Sequence, residues 1–206
     1  MTFTSGQLLR RSFVGALIAT AALAAQAQGA WPNKQVRIVI GFAPGGTTDV
    51  MARLIAQGLT EALGQTVIVD NKPGASGNIA AGEVVKATPD GYTVMIAPTS
   101  VETANPSLFK SPMLPSRDLT PVMGIGRTQM YLITRPGLEV KDAKQLVAMA
   151  KSNPGKLSYA SAGTGTPPQL AGELFKQSTG TFITHVPYRG AAPALQDVMA
   201  SQADMA

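Results

Sequence analysis

The side chains that could do chemistry in this sequence are hydroxyls set among glycines. Residues 41–49 read GFAPGGTTD, with three glycines, a proline, two threonines and one acid at the end. Three other stretches share that character: APTSVETANP at 97–106, SAGTGTPPQ at 161–169 and YRGAAP at 188–193. Each follows an apolar run and precedes a helical pattern or a turn, the place where open parallel sheets bind ligands. A loop leading into a helix offers unpaired backbone N–H groups at the positive end of the helix dipole, and both favour anions. Glycine lets that backbone approach closely. The candidate contacts are the turn residues Ala43, Pro44, Gly45, Gly46, Gly163 and Gly190, and the hydroxyls of Thr47, Thr48, Thr99, Ser100, Ser161, Thr164 and Thr166. Lysine and arginine are almost missing from these loops, Arg189 being the exception. Such a set suits a carboxylate held by backbone, hydroxyls and water rather than by a salt bridge.

Taken singly, each loop also reads as turn formers and helix caps; four together point to a site. Asp49 is read as a helix N-cap worth ~1 kcal/mol, with contact to a ligand as its other role. Tyr188 either lines the cleft or packs. His185 stands in an apolar strand and reads as a hydrogen-bonded core histidine rather than a catalyst. There is no cysteine, so thiolate zinc sites, disulfides and a cysteine nucleophile are excluded. One histidine cannot build a multi-histidine metal centre. The phosphate-binding G-x-x-x-x-G-K-[ST] loop, H-E-x-x-H and the G-x-S-x-G elbow are all missing. Catalytic, metal and cofactor roles are therefore left unassigned.

The elements that must position these loops alternate along the chain. QVRIVIG has the branched, period-2 look of a strand. Met51, Leu54, Ile55, Leu59 and Leu63 then recur at three and four, predicting a helix with one apolar face that Gly64 ends. TVIVD is the next strand, NKPGASGN a loop, NIAAGEVVKA a short helix, PDGY a turn and YTVMIA a third strand. This β-α-β-α-β order predicts parallel pairing with right-handed crossovers. SPMLPSRDLTP is proline-broken and irregular. PVMGIG and MYLIT are expected as strands crossing to a second lobe. Residues 142–152 follow as a helix with Leu146, Val147 and Ala150 inward. LSYAS is then a strand, residues 169–177 a helix, FITHVP a strand and residues 194–200 a helix. The pattern has restarted, which predicts two α/β lobes, residues 28–128 and 129–206.

The first residues read as an export leader: Arg10 and Arg11, the apolar run FVGALIATAALAA, and the small-x-small pattern Ala25, Gln26, Ala27. Cleavage is expected after Ala27, with either the general secretory or the twin-arginine route. The run falls short of the ~20 residues a spanning helix needs. A location outside the bacterial cytoplasm follows. Two of the seventeen basic residues lie in that leader, leaving fifteen against twelve acids. No basic stripe follows it, which argues against nucleic-acid binding.

The sequence resembles the Bug (Bordetella uptake gene) family, periplasmic solute-binding components of tripartite tricarboxylate transporters. The matching stretches are WPNKQVRIVIGFAPGGTTDVMARLIAQGL, LGQTVIVDNKPGASGNIAA, PDGYTVMIA, NPSLF, NPGKLSYASAGTGTPPQLAGELFK and HVPYRGAAPALQDVMASQADM. The resemblance implies a two-lobed, type II periplasmic binding fold that closes over its ligand as a Venus flytrap. It implies a periplasmic location, a small mono-, di- or tricarboxylate ligand, a membrane permease as partner, a monomer, and no cofactor. It places a ligand carboxylate at Ala43, Pro44, Gly45 and Gly46, a serine/threonine loop at residues 161–166, and a binding turn at residues 187–191. Three positions depart from the family pattern: Ala43 replaces a proline, Gln169 a histidine, and Ala191 and Ala192 a glycine pair. Family members continue well beyond the position of Ala206. The resemblance therefore implies a fold incomplete at the C-terminus, without the return of the chain to the first lobe. The alternatives are a periplasmic α/β enzyme acting on a small anion, and a non-functional fragment of a binding protein.

Overall fold

Val36–Ile40 make the central strand, β1, with every residue buried except Arg37, which is half-buried and paired with Asp70 and Glu83. The computed structural model describes residues 31–110 and 115–206. The leader read at residues 1–27, with its cleavage after Ala27, lies outside them, as do the first four residues of the proline-broken stretch. β1 pairs in parallel with β2 (Val67–Asn71) on one side and β3 (Thr93–Ile96) on the other, so that Ile38 faces Val69 and Val94. Val36, Ile38 and Ile40 pack on Ala52 and Ala56 of helix α1 (Thr47–Leu63). Val39 turns to the other layer, onto Ala80 and Val84 of α2 (Asn78–Lys86). A parallel strand sandwiched in this way needs apolar residues on both faces, and VRIVI supplies them.

The buried face of α1 differs from the one the large apolar residues predict. Ala52, Ile55, Ala56, Leu59 and Leu63 meet the sheet, while Leu54 is 63% exposed. Two alanines let the helix axis lie close to the strands, and that sets the phase. Gly64 ends the helix in the left-handed region, at φ +64°, as its position predicts.

After β3 the expected loop APTSVETANP holds two short helical turns, α3 (Ser100–Thr103) and α4 (Asn105–Leu108). The proline-broken stretch holds a third, α5 (Pro115–Asp118). PVMGIG and MYLIT do not form the predicted strands. Residues 121–133 carry no ladder, and Val122 and Tyr131 are 85% and 75% exposed. A strand needs a neighbour to take its backbone bonds, and none of the described residues pairs with 121–130. Pairing begins only at Ile133, whose N–H donates to the Ala206 carbonyl at 2.9 Å, and Thr134 bridges Met205.

The second lobe centres on β4 (Ser158–Ser161) and β5 (Thr184–Pro187), again parallel. Helix α6 (Ala143–Ser152) starts from the side-chain cap of Asp142 and buries Leu146 and Ala150 against Leu157, Tyr159, Ile183 and Met205. Ala160 faces the other way, onto Ala194 and Val198 of α8 (Ala191–Met199). Helix α7 runs Pro167–Thr179. Both α7 and α8 begin earlier than their apolar patterns predict. Each carries proline in its first turn, where no intrahelical N–H is required.

Candidate functional site

The loops after β1, β2, β4 and β5, with Phe109 at the end of α4, converge between the two lobes and enclose a cleft of about 210 Å³. From the first lobe it is lined by Gly41, Phe42, Gly74, Ala75, Ser76 and Phe109. From the second it is lined by Ala162, Gly163, Thr164, Pro187, Tyr188 and Arg189. Of the sequence-predicted contacts, Gly163, Thr164, Tyr188 and Arg189 are thus brought together at its wall.

The glycine turn itself is held against the second lobe. The Ala43 N–H donates to the Arg189 carbonyl at 2.8 Å. A Cβ on Gly190, at φ +150°, would sit 3.0 Å from the Ala43 nitrogen, and one on Gly45, at φ +84°, would sit 3.3 Å from the Ala192 Cβ. What approaches this glycine-rich backbone is therefore the start of α8. Thr47 and Thr99 are exposed and Thr48 is half-buried, all away from the cleft wall. Pro44 is exposed and Gly46 is the N-cap of α1.

Asp49 is not the N-cap. It stands three residues beyond the N-cap Gly46, inside the first turn, 3% exposed, and reaches back to accept the Gly45 N–H at 3.0 Å. Its two oxygens also accept from Arg53 (2.9 Å each) and from Asn71 (3.0 Å). The Arg53 hydrogen bonds lead in lowering its pKa to about 2. A carboxylate in the first turn also complements the helix dipole, so this position serves the capping purpose from within the helix.

Ser161 and Thr166 turn inward. Both are nearly fully buried, and both hydroxyls donate to the Gly163 carbonyl, at 3.2 and 2.6 Å. Ser161 also accepts the Gly163 N–H and lies 2.7 Å from His185 Nε2. That distance would suit a nucleophile and its base, but at 2% exposure Ser161 is closed to a substrate. His185 stacks on Tyr159 at 4.8 Å between ring centroids, and burial lowers its pKa. Tyr188 does both things expected of it. Its hydroxyl donates to Asp197 at 2.5 Å, which pushes its pKa to about 12, and its ring packs with Ala160 and Val198 beside the cleft.

Sequence reasoning passed over the loop after β2, although its place at a strand's carboxyl end was the available signal. Ala75 and Ser76 there hold φ of +45° and +51°, rare for residues with a Cβ. The Ser76 hydroxyl donates across the cleft to the Thr164 carbonyl. Beneath it, Asn105 donates to the Ser76 carbonyl and to Asn78 Oδ1, both at 3.0 Å. Ser100 is buried, with no partner for its hydroxyl among the described residues. Among the described residues no group of three acids or histidines is placed to hold a metal, and no helix is long and apolar enough to cross a membrane.

A family model described as the tripartite tricarboxylate transporter family receptor matches residues 51–206. A UPF0065 protein of Bordetella pertussis is 40% identical over 205 residues, covering 97% of this chain and 61% of that protein. The protein BugT of Bordetella pertussis is 36% identical, covering 90% and 58%. Among solved structures, R. palustris Rpa4515 with adipate superposes with a TM-score of 0.83 at 40% identity, covering 85% of this chain and 59% of that one. MatC from Rhodopseudomonas palustris with bound malate gives 0.76 at 30% identity, covering 85% and 60%. The chain thus spans about three fifths of the length of these relatives.

Proposed function

The chain belongs to the tripartite tricarboxylate transporter receptor family, and from that premise we propose that it binds a small carboxylate between its two lobes. The observation that carries this reading is the cleft itself. It is built at the carboxyl ends of strands from both lobes and lined by backbone, hydroxyls, two phenylalanines and one arginine. Structural relatives described with adipate and malate support the ligand class. The contacts assigned are Gly163, Thr164, Tyr188 and Arg189, with Ala43, Gly45 and Gly46 holding the wall in place. The ligand would pass to a membrane permease, from a monomeric protein in the periplasm, where the leader at residues 1–27 would direct it.

A thermal-shift screen against mono-, di- and tricarboxylates tests the reading. A binder's melting temperature rises with ligand concentration by mass action, and the acid is recovered unchanged. A flat response to the whole panel, or conversion of the acid to product, would remove it.

A further inference from the structure

We propose, building on the carboxylate-binding reading, that the cleft selects acids with one carboxylate and an apolar body over dicarboxylates of the same length. Among the described residues that line it, Arg189 is the single charged one. Arg37, Arg53 and Arg135 all face acids within 3 Å, whereas the Arg189 guanidinium has neither a hydrogen bond nor an ion pair among the described residues. Exposed and unpaired beside the cleft, it is free to turn to one anion.

Among the described residues, the rest of the wall offers little to a second. The Ser76 hydroxyl is bonded to the Thr164 carbonyl and the Tyr188 hydroxyl to Asp197. The Thr164 hydroxyl remains, on the same lobe as Arg189. Phe42 and Phe109 line the first-lobe side, opposite both. A carboxylate reaching toward those rings would lose hydration without gaining a cation, which is unfavourable. A methylene chain or a ring there gains by leaving water. One end of the cleft therefore recognises charge and the other excludes it.

Calorimetry with the full chain and two six-carbon acids, hexanoate and adipate, separates the cases. Hexanoate should bind at least tenfold more tightly. Arg189→Gln should weaken hexanoate at least tenfold at an unchanged melting temperature, because the side chain supports nothing else in the fold. Phe109→Ala should weaken hexanoate by a larger factor than it weakens acetate. Adipate binding as tightly as hexanoate, or Arg189→Gln binding like the parent, would overturn the inference and leave the carboxylate reading standing. Failure of acetate, hexanoate and adipate alike to bind would overturn both.

Discussion

Asp49 illustrates what a residue's type tells and what only its surroundings decide. An acid after two threonines at a helix start is legible as a capping group. The salt link to Arg53, four residues on, and the bond to Asn71, from the next strand, are set by packing. Its folded pKa, about 2, lies below the unfolded value of ~3.9. Its contribution is therefore complete above pH ~4 and lost as pH falls through 2. Allowing for the half-exposed Arg53, that contribution is roughly 1–2 kcal/mol. Urea unfolding at stepped pH should show the parent losing this increment between pH 4 and 2, and Asp49→Asn lacking it; equal slopes would dismiss the link. Ser161 is the opposite case. A serine in a glycine-rich loop reads as a ligand contact, yet the turn at Gly163 aims it at His185. Ser161→Ala should lower stability by about 1–2 kcal/mol, because it leaves buried partners unpaired. Affinity per folded molecule should change less than threefold. Unchanged stability with weakened binding would restore the contact role.

At the scale of elements, the alternation of strand and helix was legible because apolar periodicity depends only on near neighbours. β1, β2 and β3 stand where TVIVD and its companions predict, and so do the two parallel strands of the second lobe. What local pattern could not supply was a partner. PVMGIG and MYLIT have strand composition, but a strand exists only against another, and residues 121–130 meet none among the described residues. Nor could it weigh alanine, which fixed the phase of α1 although the larger residues predict a different one. The docking of the glycine turn on α8 is a further long-range fact, and it yields a prediction. Gly190→Ala puts a Cβ about 3 Å from Ala43 at a φ that disfavours any side chain. The Ala43–Arg189 bond should open, with roughly tenfold weaker ligand binding and an unaltered circular dichroism spectrum. Gly58→Ala, in the exposed middle of α1 with open space around it, should stabilise by about 0.5–1 kcal/mol and leave binding alone. Equal behaviour of the two variants in calorimetry would show that the turn needs no close approach.

Across the whole molecule, each lobe has its own buried clusters: Ile38 and Val39 with α1 and α2, and Leu146 and Ala160 with α6 and α8. Two such cores could unfold separately, and what couples them is the seam at the cleft. Among the described residues two hydrogen bonds cross it, Ala43 to Arg189 and Ser76 to Thr164. Asn105 backs the second of these. It is 1% exposed, it fixes the Ser76 carbonyl and Asn78, and a Cβ on Gly165 of the opposite lobe would lie 3.2 Å from its Oδ1. That two lobes exist was readable from the restart of the pattern. That an asparagine in NPSLF supports their seam was not, because it meets residues 29 and 27 positions away. Asn105→Ala should cost about 2–3 kcal/mol, from two lost hydrogen bonds and a carbonyl left unpaired. It should also uncouple the lobes. Trp31, the single tryptophan, packs in a tilted arrangement on Tyr92 of the first lobe, 5.8 Å between ring centroids, so its fluorescence reports that lobe alone. Far-ultraviolet circular dichroism reports both. In the parent the two urea transitions should coincide, as cooperative unfolding requires. In the variant they should separate, because each core then responds to its own stability. Coincident transitions at an unchanged midpoint would mean that the lobes are coupled elsewhere and that Asn105 is a local fastening of the first lobe alone.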